Sequence, residues 1–231
     1  MSNLKLKKII EKHPISINFF RLNNIDYSSM KNTMLKDAIQ KRGLPVNETI
    51  QELETYIDSF ENPDRFPEGL EDFDIPEMID HILEVHHSFT NRVLKDLGTI
   101  IPELQEDPEL ENTELMKEIA DIFIDIKAEI QIHFAEEEVD IFPAIKLSAL
   151  TGVYSKRILD AIRHSEEVHS IIGEYVSRLI VLTDDFNIVH KKSELFNLMM
   201  SEFRELVKDL FLHIYKENTF LFEVYEEKYF A

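Results

Sequence analysis

The chain has 231 residues, 45 acidic against 25 basic side chains for a formal net charge of -20, 44% apolar content and no cysteine. That charge repels a phosphate backbone and no basic stripe offsets it, which excludes nucleic acid and an anionic membrane surface as expected partners. Without cysteine there are no disulfides, thiolate nucleophiles or Cys-ligated zinc and iron–sulfur centres, so any metal must be held by nitrogen and oxygen.

Five glycines and eight prolines argue against a turn-rich β fold. Leu/Ile/Lys/Glu-rich stretches at helical spacing predict an all-α protein. The first residues, MSNLKLKKIIEKHP, are basic but lack the apolar stretch of a signal peptide. No apolar run approaches the about 18 residues of a membrane span, so the expected location is cytoplasmic. Residues 1–60 read as a small helical N-terminal domain with segments Lys5–Glu11, Pro14–Leu22, Met30–Arg42 (ended by Gly43) and Asn47–Phe60. Residues 61–75, ENPDRFPEGLEDFDI, are acidic, contain two prolines and have no periodicity, as a linker does.

Four long amphipathic segments follow: Pro76–Leu97, Glu111–Glu138, Ser155–Asp184 and Lys192–Glu227. Pro143 either ends the second or opens a short turn over Ala144–Leu150. Four such helices with short connections predict an up-down-up-down bundle over residues 76–231. The bundle reads as a duplication. His87 and His133 stand 46 residues apart on the first hairpin, and His169 and His213 stand 44 apart on the second.

The second helix of each hairpin carries a His and, one helical turn later, a Glu: His133 with Glu137 in HFAEEEVDIFP, and His213 with Glu217 in HIYKENTFLFE. Residues four apart share a helix face, so an imidazole nitrogen and a carboxylate can aim at one point. The apolar neighbours Ile132, Phe134, Val139, Ile141 and Phe142 in the first copy, and Phe211, Ile214, Leu221 and Phe222 in the second, imply a buried setting. Unpaired carboxylates are costly there and a cation would neutralise them. Imidazole with carboxylate suits iron, manganese or zinc, and hard oxygen ligands favour iron or manganese over copper. On the first helix, periodicity alone does not separate His86 from His87.

The patterns Asp80-His81-Ile82 with His87, His133 and Glu137 with Phe142-Pro143, Glu166 with His169 and Gly173, and His213-Ile214 with Glu217 resemble the hemerythrin-like domain of the repair-of-iron-centres proteins, the di-iron iron–sulfur cluster repair family. RLNNIDYSSMKNTMLKDA, residues 21–38, is similar to that family's small N-terminal domain, except that Ser28 and Ser29 stand where the family has two adjacent cysteines. Thiol chemistry is therefore absent from this chain. The resemblance implies His87, rather than His86, with His133, His169 and His213 as terminal ligands. It implies Glu137 and Glu217 as bridging carboxylates for two iron ions joined by an oxo or hydroxo bridge. It further implies supply of iron to clusters damaged by nitric oxide or peroxide, with iron–sulfur proteins as recipients. Nitric oxide and oxygen would be the diatomic ligands, nitric oxide reduction is allowed, and a homodimer is left open.

Glu129, Asp209, Glu166 and Glu84 are expected to orient the imidazoles of His133, His213, His169 and His87 respectively. His81 reads as an ordinary surface or packing histidine, and Glu136 and Glu138 as solvated. Two alternatives are carried. One is oxygen binding or sensing by a hemerythrin-like site. The other is a ferritin-like di-iron oxidase, whose ligands would include Glu84 and Glu166 from two E-x-x-H motifs.

Overall fold

Asp74 starts the first long helix with a reciprocal cap. Its carboxylate accepts the Glu77 N–H at 2.9 Å, and the Glu77 side chain accepts the Asp74 N–H at 2.9 Å. The computed structural model describes residues 1–13, 15, 16, 19, 20, 23–25, 30, 32–61, 73–108, 110 and 113–230, with the side chains of residues 11 and 58–61 excepted. Ser28, Ser29, most of the expected linker and part of the Pro14–Leu22 segment lie outside these residues. No strand occurs among the described residues, and the fold is the all-α bundle that the periodicity predicts.

Among the described residues three helices precede the bundle: α1 (Leu6–Lys12), α2 (Leu35–Arg42) and α3 (Val46–Glu61). Gly43 ends α2 in the left-handed region at φ 78°, where a side chain would be strained. In the bundle, the first rod is α4 (Ile75–His81), a π turn (Ile82–His87) and α5 (Ser88–Gln105). The second is α6 (Thr113–Glu136), a π turn (Glu137–Ile141) and α7 (Phe142–Thr151). The third is α8 (Lys156–Leu182), and the fourth is α9 (Glu194–Lys216), a π turn (Glu217–Phe222) and α10 (Glu223–Phe230).

One boundary differs from expectation, and one that the sequence left open is decided. The first rod does not stop at Leu97 but runs through Pro102 to Gln105, because Ile100, Ile101 and Leu104 continue the buried stripe. Pro143 stands in the first turn of α7, directly after the π turn, and Gly152 closes that helix at φ 69°.

Among the described residues apolar side chains form two clusters. The larger joins the N-terminal helices, through Leu6, Ile9, Leu35 and Leu53, to the bundle residues Val93, Ile130, Phe134, Val176 and Phe203. The smaller, around Ile82, Phe142, Ile162, Leu221 and Tyr225, closes the other end of the bundle. The polar residues considered next lie in the layer between them.

Candidate metal centre

Each long rod contributes to this layer. His87 is the last residue of the first π turn. His133 and Glu137 flank the junction of α6 and the second π turn. His169 lies in α8, and His213 and Glu217 flank the junction of α9 and the third π turn. None of the six is more than 2% exposed. A π turn accommodates one extra residue in the helical ladder and re-aims the side chains on it.

The six residues form two groups whose ligand atoms lie within 4.8 Å of one another: His87, Glu137, His213 and Glu217, and His133, Glu137, His169 and Glu217. Both glutamates belong to both groups, and each gives one oxygen to each. Glu137 Oε1 is 3.2 Å from His133 Nε2 and its Oε2 is 3.5 Å from His87 Nε2. Glu217 Oε1 is 2.7 Å from His213 Nε2 and its Oε2 is 3.0 Å from His169 Nε2.

This donor set fits a pair of cations. His87 Nε2, Glu137 Oε2 and Glu217 Oε2 are buried without a hydrogen bond, and buried polar atoms are rarely left so. The Nε2 atoms of His133 and His169 approach to 2.9 Å, which needs a shared proton or a common cation. Burial, then the neighbouring charge of Glu217, pushes the Glu137 carboxyl up to about 8. Burial alone would raise Glu217 too, but the imidazoles of His213 and His169 outweigh it and hold that carboxyl well below its ordinary range. Burial also pushes His213 down to about 4, and lowers His133 with help from His169. Without metal the pocket thus relieves its two carboxylates by keeping a proton.

The orienting groups differ from expectation. His87 Nδ1–H donates to Glu138 Oε1 at 2.8 Å, so Glu138 is not merely solvated and Glu84, which is exposed, is not the partner. His169 Nδ1–H donates to Asn218 Oδ1 at 3.1 Å, in the place expected for Glu166. His133 Nδ1 and His213 Nδ1 have no partner among the described residues, so Glu129 and Asp209 do not serve them. Ser165, one turn before His169, donates to Glu137 Oε1 at 3.1 Å. Neither ligand group contains Glu84 or Glu166, the carboxylates of the ferritin-like alternative. Phe134 stacks on His87 at 3.7 Å between ring centroids, whereas Ile132 and Val139 face outward instead of crowding the motif.

Geometry also separates His86 from His87. His86 Nε2 accepts from the Lys216 ammonium at 2.7 Å and its Nδ1–H donates to Asp209 Oδ1 at 2.8 Å, so both ring nitrogens are occupied. Lys216, 1% exposed, also donates to His81 Nε2 at 2.8 Å, which makes His81 part of a buried network. Burial brings the Lys216 ammonium down to about 8. The His86 ring lies parallel to that of His213 at 5.6 Å and forms one wall of the layer.

Residues 78–225 match the family described as the hemerythrin HHE cation binding domain. The chain is 26% identical over 219 residues to a probable iron–sulfur cluster repair protein of Haemophilus influenzae, spanning 94% of each. It is 26% identical over 144 residues to the iron–sulfur cluster repair protein DnrN of Neisseria gonorrhoeae, spanning 62% of this chain and 87% of that one.

Proposed function

The chain belongs to the hemerythrin HHE cation-binding family, and on that premise we propose that its bundle holds two iron ions and serves the repair of iron–sulfur clusters. The observation that carries the reading is the division of each glutamate between two imidazole pairs, one oxygen to each. His87 and His213 would hold one ion, His133 and His169 the other, and Glu137 and Glu217 would bridge them, with an oxo or hydroxo bridge completing the pair. Such a pair, bound by labile nitrogen and oxygen ligands, would supply iron for transfer and Lewis-acid chemistry toward a diatomic molecule such as nitric oxide or oxygen. The repair activity named for both relatives supports transfer to iron–sulfur proteins as the use, and the location we propose is the cytoplasm.

The residues set the conditions for this chemistry. Glu138 and Asn218 fix the tautomers of His87 and His169, leaving each Nε2 free of hydrogen and aimed inward. Phe134 and Phe142 exclude water beside His87, and Phe222 does so beside His169. The two apolar clusters seal the layer above and below, which strengthens every charge interaction within it.

The test is metal analysis with optical spectroscopy, followed by incubation with a [4Fe–4S] enzyme inactivated by peroxide or nitric oxide. About two irons per chain, oxo-bridge absorption and recovery of the damaged enzyme are expected. Iron retained without any transfer, together with a stable oxygenated spectrum in air, would move the reading to oxygen binding.

A further inference from the structure

The second rod runs unbroken from Thr113 to Thr151, with His133 and Glu137 on its inner face. Its outer face carries an apolar stripe. Ile124, Ile132 and Val139 are 62%, 59% and 73% exposed, with the exposed Ala128 and Ala135 between them. At 100° per residue Ile124, Ala128, Ile132 and Ala135 fall within an arc of about 80°, and Val139 stands on the π turn that follows. Leu147 and Leu150, at 61% and 78% exposure, continue the exposed apolar face along α7. From Ile124 to Leu150 it extends about 39 Å at 1.5 Å per residue. Steps of three and four residues are those of a helix seam, and exposed patches of this length mark interaction sites.

The charges beside the stripe identify the occupant. Glu118, Asp125 and Glu136 line one edge and Asp121 precedes Ile124, all exposed. None of these four side chains has an ion pair or hydrogen bond among the described residues. A second copy fits poorly. Antiparallel pairing about a two-fold axis sets the acidic edge against itself, and parallel pairing sets it against an opposite edge of Lys127, Gln131 and Glu138. Each copy also carries a net charge of -20.

We propose that the outer face of the second rod docks another protein through an amphipathic helix whose aliphatic stripe is bordered by Lys and Arg. Ala128 and Ala135 let that helix approach closely, Ile124, Ile132 and Val139 fill its holes, and the acidic edge pairs with its basic flank. The inference does not depend on which metal the inner face holds.

The experiment uses the full chain and a fluorescent synthetic helix of three heptads with Leu at the seam and Lys on the flanks. A peptide of identical composition with the seam scrambled is the control. Anisotropy should show binding of the patterned peptide alone. Ile132→Asp with Val139→Asp should weaken it by about tenfold or more, and Asp125→Lys with Glu136→Lys should weaken it and flatten its salt dependence. Both sites are exposed, so circular dichroism should be unchanged; if the aspartates lower helicity, Ile132→Ser with Val139→Ser gives the same reading. Equal binding of the scrambled peptide, or undiminished binding by the stripe variants, overturns the proposal. So does a dimer in light scattering that Ile132→Asp dissolves, because the stripe is then occupied by a second copy.

Discussion

Glu138 and Asn218 occupy equivalent places in the two halves of the bundle, each directly after a glutamate proposed as a bridge, and each takes the outward N–H of an imidazole on the preceding rod. The repeat makes His133–Glu137 and His213–Glu217 legible because the same residue types recur. It hides the next position, where a carboxylate in one copy and an amide in the other perform one task, accepting a hydrogen bond. Comparison by residue type discards what comparison by acceptor would keep. Glu138→Ala is expected to lower iron affinity about tenfold or more in chelator competition, with Glu136→Ala unchanged; equal affinities would remove Glu138 from the site. Lys216 was hidden for another reason. A lysine beside a buried motif reads as solvated, and only the fold shows its ammonium between His81 and His86. Lys216→Met should cost about 3 kcal/mol in denaturant unfolding of the metal-free protein, because Asp209 loses its buried counter-charge and two imidazoles lose their donor. A change below about 0.5 kcal/mol would mean that the network contributes little.

At the scale of elements, helical periodicity revealed the rods but not the turns that aim them. Three π turns, Ile82–His87, Glu137–Ile141 and Glu217–Phe222, end or begin at a proposed ligand. Nothing in local propensity marks them, because the extra residue in the ladder is held by the packing of the layer and not by its own side chain. The same tertiary override carries α5 through Pro102. The π turns give a direct prediction. Deleting Thr219 from the third turn would restore ordinary helical spacing and rotate the remainder of that rod by about 100°. Leu221, Phe222 and Tyr225 would then leave the smaller cluster, and the support beneath Glu217 and Asn218 would go with them. Iron content should fall to less than half while helicity by circular dichroism changes little. Full iron retention would show that the turn does not set the site.

For the whole molecule, the buried layer makes stability a function of pH, and the sign follows from each group. His213 and His81 fall to about 4 from 6.5, and His133 is lowered as well, so the folded protein binds fewer protons than the unfolded chain between about pH 4 and 6.5. Their contribution is present above 6.5 and lost as pH falls through the folded values. Glu137, raised from 4.5 to about 8, and His87, raised from 6.5, act in the opposite sense: the stability each gives is lost as pH rises from its unfolded toward its folded value. Three lowered histidines outweigh one raised carboxyl below pH 6.5, the raised groups dominate between 6.5 and about 8, and Lys216, lowered to about 8, adds stability with rising pH only from there upward. The metal-free protein should therefore be most stable near pH 6.5 and weaken toward pH 8 in urea titrations. Iron binding must ionise Glu137, so loading should release a proton below about pH 8 and remove the alkaline decline. Proton release in weak buffer and paired urea titrations with and without iron read both effects. A metal-free protein that keeps gaining stability between pH 6.5 and 8 would show that the layer holds no proton on Glu137, and that its two carboxylates are compensated by some means other than the shared pocket proton.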